Sequence, residues 1–387
     1  MKTLNLPYLP FQHAVNKFES GVVQPHSSTA YHNQPVAFPV MSSYKYVCSI
    51  LGKQVADWVK RNSSPTNRSV CIVSLIEPAK KVFTVVQKNI HHLVLSTPLN
   101  SVKEINNFLY HANTHLSSDK GLLTCYFESK STRSERIAKS YRLPFRWLVV
   151  MYDFIVCRFL PSILPEGLVN YSSTYTILPK TEVLGRLYYM GFSVVETKKM
   201  NGLTYVLAIK QRHLEKIPPE QVYGPLIKLC RIGKQGIRIS VFKIRTMYAY
   251  SEFLQEYMYL THQLQGGGKI KNDIRICSWG RFLRTYFLDE LPMLWNVVKG
   301  EMKLVGVRPL SPHYMSLYSE EVRSLRTQFT PGLLPPFYAD LPGTLDEIQQ
   351  SELRYLQACM TKGILITDIH YFFKIIRNLL FNHAKSA

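Results

Sequence analysis

The sequence predicts an α/β protein: a doubly wound sheet unit in the N-terminal half and a mixed α+β unit in the C-terminal half. Three observations carry this. Between Ser69 and Phe127, short apolar runs of strand length alternate with amphipathic stretches of helical length, an order that builds a parallel sheet with helices on its faces. Between Phe192 and Lys210, two strand-like runs flank Asn201-Gly202, a dipeptide that favours a tight antiparallel hairpin. From Tyr223 on, basic strand-like stretches, glycine turns and separate helical patterns replace the regular alternation.

Taken in order, Met1–Asn67 has scattered Pro, Ser and His and weak periodicity. It reads as an irregular start with one helix near Tyr46–Lys60. Ser69–Leu75 is a buried strand, Ala79–Asn89 a helix, His92–Ser96 a strand, Val102–His115 a helix and Gly121–Phe127 a third strand. Trp147–Leu164 is apolar but contains Asp153, Arg158 and Pro161. A simple membrane span needs roughly 20 mostly apolar residues, so a buried helix or an interfacial segment is expected, with Arg146 and Arg158 able to snorkel. Lys180–Met190 is a helix, and Phe192–Lys198 and Leu203–Lys210 form the hairpin. His213–Tyr223, with two prolines and several charges, reads as a linker. The expected domains are an irregular segment over 1–67, a sheet domain over 68–212 and a second domain over 222–387. No internal repeat is evident.

Of the 387 residues 46% are hydrophobic, enough for a sizeable core and for two domains. Lys and Arg total 47 against 26 acids, a formal charge of +21. Such a surplus attracts nucleic acid, an anionic membrane face or phosphorylated substrates. The seven cysteines form no CxxC pair, which points to reduced thiols rather than a disulfide frame or a zinc site. His91 and His92 are adjacent, poor spacing for a shared metal. Met1–Glu19 has no continuous apolar stretch, so no signal peptide is expected.

The strand and helix order over Ser69–Lys210 resembles the later part of a class I methyltransferase fold, a Rossmann-like sheet closed by an antiparallel strand pair. The resemblance is one of pattern. The glycine-rich cofactor turn is missing, because Leu75-Ile76-Glu77-Pro78 follows the first strand. Without glycine the backbone cannot approach a cofactor closely. This half is therefore read as a scaffold or a degenerate, non-catalytic cofactor domain, with no cofactor-binding residues assigned.

The chemistry-bearing residues lie further on. Lys228–Met247 holds six basic residues and no acid. Gly233 and Gly236 suggest a hairpin, and Lys243 and Arg245, two apart, share a strand face. Such a stretch is either a solvated strand or a phosphate-binding face. After Asp289-Glu290, the residues Leu291, Leu294, Trp295 and Val298 recur at helical spacing, and Pro292 suits a first helical turn. The two carboxylates thus sit at a helix N-terminus, where the dipole favours their ionised form and free N–H groups can hold phosphate. A simple cap would explain them as well. Arg275, Arg281 and Arg284 precede them, and Lys299, Lys303 and Arg308 follow. Guanidinium groups bind phosphate bidentately. A diphosphate between carboxylates calls for a bridging divalent cation, of which Mg²⁺ is the natural choice.

Five motifs in order now converge: FKIRTM at Phe242–Met247, GRFLR at Gly280–Arg284, LDELP at Leu288–Pro292, NVVKGEMKLVGVRP at Asn296–Pro309 and Pro331-Gly332. Together they resemble the bacterial sugar transferases, the polyprenyl-phosphate hexose-1-phosphate transferases, from about Tyr223 to the C-terminus. The resemblance implies transfer of a hexose phosphate from a nucleotide sugar, with a UDP-sugar the expected donor, to polyprenyl (undecaprenyl) phosphate. Such transfer initiates exopolysaccharide, capsule or O-antigen synthesis. It implies Asp289 as nucleophile through a covalent phosphosugar intermediate, and Glu290 as the Mg²⁺ ligand. Lys243, Arg245, Arg281, Arg284 and Arg308 are the implied phosphate-binding residues. The implied location is the cytoplasmic face of the bacterial inner membrane, peripheral or re-entrant. Expected partners are the nucleotide sugar, polyprenyl phosphate and an anionic membrane surface, with a homo-oligomer left open.

The chain departs from the family pattern in three places. Val307 stands where proline usually precedes the Arg-Pro turn. LLPPFYADLP replaces the usual continuation after Pro331-Gly332. The usual apolar hairpin before the catalytic domain is missing, leaving Trp147–Leu164 as a candidate, with Pro161 marking a re-entrant break. Thr367–Phe381 is a second membrane candidate: a Thr-Asp cap followed by Ile369, Phe372, Phe373, Ile376 and Leu380 on one face. It suits either an interfacial helix or packing on the core. Gly266–Gly268 lacks the P-loop pattern and reads as a flexible loop. Two alternatives stand beside the covalent route: direct attack by the lipid phosphate with Asp289 as a metal ligand, and a catalytically silent scaffold of a polysaccharide assembly. Nucleic acid is not an expected partner, because the basic residues crowd around carboxylates that repel a phosphate backbone.

Overall fold

The computed structural model describes residues 44–63, 70–73, 83, 88–102, 104–140, 148–149, 152, 177–261 and 273–381. Nearly all of the expected helix Ala79–Asn89 and of Trp147–Leu164 lies outside the described residues, as do residues 1–43 and 64–67 of the irregular start and the Gly266–Gly268 loop.

Where the sequence predicts one helix there are two, α1 (Tyr44–Leu51) and α2 (Lys53–Asn62). Gly52 divides them at a φ of 86°, a conformation that a helix interior excludes and glycine enters cheaply. Then follow β1 (Val70–Val73), β2 (His92–Leu95), α3 (Ile105–His115), β3 (Leu122–Phe127), α4 (Lys130–Ser140), α5 (Lys180–Tyr189), β4 (Phe192–Met200) and β5 (Leu203–Lys210). The five strands form one mixed sheet in the order β1-β2-β3-β5-β4. The first three are parallel, and β5 runs antiparallel to both its neighbours. Asn201 and Gly202 have φ of 51° and 73°, the pair of positive values that closes a tight hairpin.

Both sheet faces are covered. On one, Phe108 and Leu109 of α3 and Leu184 and Leu187 of α5 pack with Leu93, Leu123 and Val206. On the other, Val55, Trp58 and Val59 of α2 pack with Ile72, Val94 and Leu207. Burying each such side chain contributes about 1.5–3 kcal/mol. His92 bridges the layers, its ring nitrogens 2.8 Å from Ser63 Oγ and 2.9 Å from Thr124 Oγ1. Burial pushes its pKa down to about 4, so it serves as a neutral bridge.

The C-terminal half begins with an antiparallel hairpin, β6 (Leu226–Ile232) and β7 (Arg238–Ile244). A 3₁₀ turn over Ser251–Leu254 leads into α6 (Gln255–Thr261), and α7 (Ser278–Thr285) follows. A second 3₁₀ turn, Leu288–Met293, runs into α8 (Leu294–Val298), and β8 (Lys303–Val305) comes next. The chain ends with α9 (Pro312–Met315), α10 (Glu320–Thr327), β9 (Gly332–Leu334), α11 (Phe337–Asp340), α12 (Leu345–Lys362) and α13 (Ile364–Phe381). Leu254 and Met258 join the sheet core, Thr181 Oγ1 donates to the Ile274 carbonyl at 2.8 Å, and Asn106 donates to the Tyr250 hydroxyl at 2.5 Å.

Two expectations for helices change. The stripe Leu291, Leu294, Trp295 and Val298 faces solvent; the inward side of this segment is Met293 and Asn296, both buried. Helix α13 starts just after Gly363 rather than at a Thr367 cap. Thr367 is buried, and its hydroxyl donates to the carbonyls of Ala358 and Gly363. Ile375 and Asn378 are the inward residues of α13, while Ile366, Ile369, Phe373 and Leu380 are exposed. Among the described residues no helix is long and apolar enough to cross a membrane.

Candidate active site

The carboxylate pair sits in the 3₁₀ turn Leu288–Met293, which lies against β7. The turn is entered through Phe287 at a φ of 58°. Met293 packs with Val241 of β7 and Met302 in a small buried cluster. Asn296 ties the segment to the strand: its Nδ2 donates to the Ser240 carbonyl at 2.7 Å and to Glu301 Oε2 at 2.6 Å. This residue escapes a motif reading that looks for charge; a lone amide inside an apolar helical stretch is its signal.

Asp289 and Glu290 are each only 5% exposed, and Glu290 is tightly held. Its Oε1 accepts from Lys243 Nζ at 2.5 Å and from Arg308 Nη2 at 3.0 Å. Asp289 differs: its Oδ1 is buried and accepts no hydrogen bond. Burial raises the Asp289 pKa, with Lys243 and Arg284 pulling it back and Glu290 adding to it. The same burial lowers the pKa of Lys243, as does Arg308, against the attraction of Glu290. Burial works against the charge of Arg308, but Tyr338, Glu290 and Asp289 hold its pKa above the ordinary value.

The supporting elements explain the placement. Lys243 is the penultimate residue of β7. Arg284 on α7 donates from Nε to Thr246 Oγ1 at 2.9 Å, and burial lowers its pKa while Asp289 and Asp273 oppose the change. The first turn of α7 presses on the same residue: a Cβ at Gly280 would stand 2.2 Å from the Thr246 carbonyl oxygen. Arg308 follows β8, which pairs in parallel with β9. There Gly306 and Gly332 meet backbone to backbone, and a Cβ at Gly332 would lie 2.1 Å from Gly306 N. Val307 is buried in one cluster with Tyr338. The divergent LLPPFYADLP stretch thus supplies a residue that the motif reading missed: the Tyr338 side chain hydrogen-bonds Arg308, and its ring packs edge-on against Phe287 at 5.2 Å. Its signal was the departure from the family pattern.

Of the sequence-predicted residues, Lys243, Arg284 and Arg308 therefore gather around Asp289 and Glu290. Arg245 lies beyond the end of β7, donates to the Gly224 carbonyl at 2.9 Å and stacks 4.9 Å over the Tyr223 ring. Arg281 is exposed on α7. Two other flanking cations hold partners of their own: Arg275 pairs with Asp273 at 2.7 Å and Lys303 with Asp368 at 2.8 Å. Three cations around two carboxylates leave a net positive, partly desolvated cluster of charges suited to a diphosphate.

Among the described residues no group of three or more His, Cys, Asp or Glu side chains gathers to hold a metal. Two adjacent carboxylates, one with a bare buried oxygen, fit Mg²⁺ all the same, since this ion takes one or two protein carboxylates and completes its shell with substrate phosphates and water.

Residues 219–382 match the family model described as bacterial sugar transferase. Three similar proteins show what the match covers. A "UDP-galactose-lipid carrier transferase" of Erwinia amylovora is 39% identical over 97 residues, 24% of this chain and 20% of that protein. An "undecaprenyl-phosphate galactose phosphotransferase" of Salmonella typhimurium is likewise 39% identical, over 24% of this chain and 20% of that one. The "exopolysaccharide production protein ExoY" of Rhizobium meliloti is 38% identical over 27% of this chain and 47% of its own length. The chain thus spans from about a fifth to about a half of the relatives it matches.

Proposed function

We propose that this chain, whose residues 219–382 match the bacterial sugar transferase family model, transfers a hexose phosphate from a nucleotide sugar to polyprenyl phosphate, with Asp289 as the nucleophile. The observation that carries the reading is the contrast within the pair. Glu290 is neutralised by two cations, whereas the Oδ1 of Asp289 is buried and bare. A desolvated carboxylate oxygen beside cations is poised to attack phosphorus.

In the first step an Asp289 oxygen attacks the phosphorus nearer the sugar. The bond from that phosphorus to the oxygen bridging the two phosphates breaks, and nucleoside monophosphate leaves with the electron pair. In the second step an oxygen of the lipid phosphate attacks the same phosphorus and Asp289 departs as carboxylate. Lys243, Arg284 and Arg308 stabilise the charge that moves onto the phosphate oxygens. Arg245 and Arg281, further from the pair, would serve the outer part of the donor or the acceptor. Mg²⁺ held by Glu290, with Asp289 beside it, would screen the diphosphate from the two carboxylates. The names of the relatives support a UDP-sugar donor, undecaprenyl phosphate as acceptor and a place in exopolysaccharide synthesis.

The acceptor lies in a membrane, and two exposed apolar faces suit that setting. Leu291, Leu294, Trp295 and Val298 stand open beside the carboxylates, and Ile366, Ile369, Phe373 and Leu380 form the outer stripe of α13. Lys362 at the end of α12 and Arg377 on α13, both exposed, suit an anionic lipid surface. The cytoplasmic face of the bacterial inner membrane is the proposed location.

One observation also favours a second route. A bare buried oxygen is a metal ligand as readily as a nucleophile, so Asp289 would then hold the cation while the lipid phosphate attacks directly. The first experiment is incubation with a panel of nucleotide sugars, Mg²⁺ and polyprenyl phosphate, reading nucleotide release. Release of nucleoside monophosphate from one donor is the expected result. No release from any donor would leave the silent-scaffold alternative.

A further inference from the structure

Behind Arg308 lies a second pair of charges that the transfer reading does not use. Arg326 on α10 is 4% exposed and Glu352 on α12 is 0% exposed. Glu352 Oε2 stands 3.4 Å from Arg326 Nε, yet neither Glu352 oxygen accepts a hydrogen bond of good geometry and Arg326 Nε donates none. A buried pair with that much unmet capacity is a poor stabilising device, because desolvation offsets its attraction. Its geometry does something else. Arg326 Nη2 donates to the backbone carbonyl of Arg308 at 2.6 Å. Its guanidinium is steadied by the Tyr318 ring, 4.9 Å below, and by Met315 Sδ at 3.4 Å from Nη1. Arg308 in turn places its own side chain on Glu290.

We propose that Glu352 and Arg326 are positioning residues: the ionised Glu352 orients the Arg326 guanidinium, which grips the Arg308 carbonyl and sets the reach of the Arg308 side chain toward Glu290 and the substrate phosphate. The role given to Arg308 rests on the transferase reading above.

This brace is sensitive to protons. The groups facing Glu352 are Arg326 on α10, the Tyr318 hydroxyl ahead of it and Arg308 on the turn after β8. Burial raises the Glu352 pKa to about 7, against the pull of these three. The carboxylate is therefore mostly charged one unit above that value and mostly neutral one unit below. A protonated Glu352 no longer directs Arg326, and the grip on Arg308 loosens.

The test compares wild type with Glu352→Gln at about pH 8 and about pH 6, either side of the Glu352 titration. Two quantities are read: kcat/KM for nucleotide release, and affinity for inorganic pyrophosphate by calorimetry. At the higher pH the variant should be about ten- to a hundredfold worse in both, the cost of a misplaced charge clamp. At the lower pH wild type should fall toward the variant and the ratio approach one. Ligand titration affects both proteins equally and cancels from the ratio. A ratio that stays constant would mean that Glu352 only maintains shape, and a ratio near one at both pH values would mean no role at all; either overturns the proposal. Glu352→Asp, which keeps the charge, should recover part of the loss at the higher pH. If Glu352→Gln does not fold, Arg326→Lys serves in its place, with the same narrowing of the ratio expected. Absence of nucleotide release by wild type would count against the transferase reading alone, since the pyrophosphate ratio still judges the brace.

Discussion

Replacing Lys243 with methionine removes a charge while keeping much of the side chain's length, and its consequences can be worked through. The Lys243 side chain is 16% exposed and that of Glu290 7%, with 2.5 Å between Nζ and Oε1. Breaking a buried pair by removing one partner costs about 3–5 kcal/mol when nothing else compensates. Here Arg308 Nη2 stays 3.0 Å from the same oxygen, so the loss of stability should fall below that range, to roughly 2 kcal/mol. Activity should suffer more. The site would drop from three cations against two carboxylates to two against two, just where the incoming diphosphate adds negative charge. Losing one such electrostatic contact costs about 10²–10³ in rate, or roughly 2.7–4 kcal/mol. Nucleotide-release kinetics and thermal unfolding on the same preparation separate the two effects. A folded Lys243→Met protein with kcat/KM within a factor of about three of wild type, under 1 kcal/mol, would refute the assignment of Lys243 to the reacting phosphates.

Three further outcomes follow from the geometry. Gly280→Ala should destabilise the protein and lower activity, because its Cβ would meet the Thr246 carbonyl oxygen at 2.2 Å and shift the helix that carries Arg284; thermal unfolding with kinetics checks both. Stability should carry a pH signature of Glu352. Its folded pKa of about 7 stands above the ordinary 4.5, so the folded state binds the extra proton and stability falls as pH rises through that window. The full drop is roughly 3 kcal/mol, and Glu352→Gln should lack this slope in urea unfolding followed across pH. Phe373→Glu, at an exposed position of α13, should leave stability nearly unchanged and weaken binding to anionic vesicles in a flotation assay.

The parallel part of the sheet was legible because β2 and β3 are almost wholly buried; residues such as Leu93, Val94 and Leu123 have no polar option. The Asn-Gly turn was equally direct. Periodicity says that Leu291, Leu294, Trp295 and Val298 share a face, but it does not say which face meets the protein. Asn296 settled that, because its amide finds buried partners on β7 and at Glu301. The start of α13 differs from the expectation because a Thr-Asp pair looks like a cap, whereas Gly363, four residues before Thr367, separates the two helices. Charge spacing carried the site part of the way. Lys243 and Arg245 are two apart, but β7 ends at Ile244, so the strand alternation stops between them. Lys303 lies in the densest motif, yet its partner Asp368 is distant in sequence and belongs to α13. Such tertiary pairings leave no mark in a local window. The Arg326–Glu352 pair was invisible for the same reason, and the departure around Tyr338 marks a place without naming its partner Arg308.

The most direct test of the central claim is a single-turnover reaction with a donor labelled in its sugar phosphate, quenched before polyprenyl phosphate is added. The account predicts label bound covalently to the protein at Asp289, discharged onto polyprenyl phosphate when that acceptor is supplied, and absent from Asp289→Asn. Nucleotide release that requires the acceptor, with no label on the protein at any time, would contradict it and assign Asp289 to the metal instead.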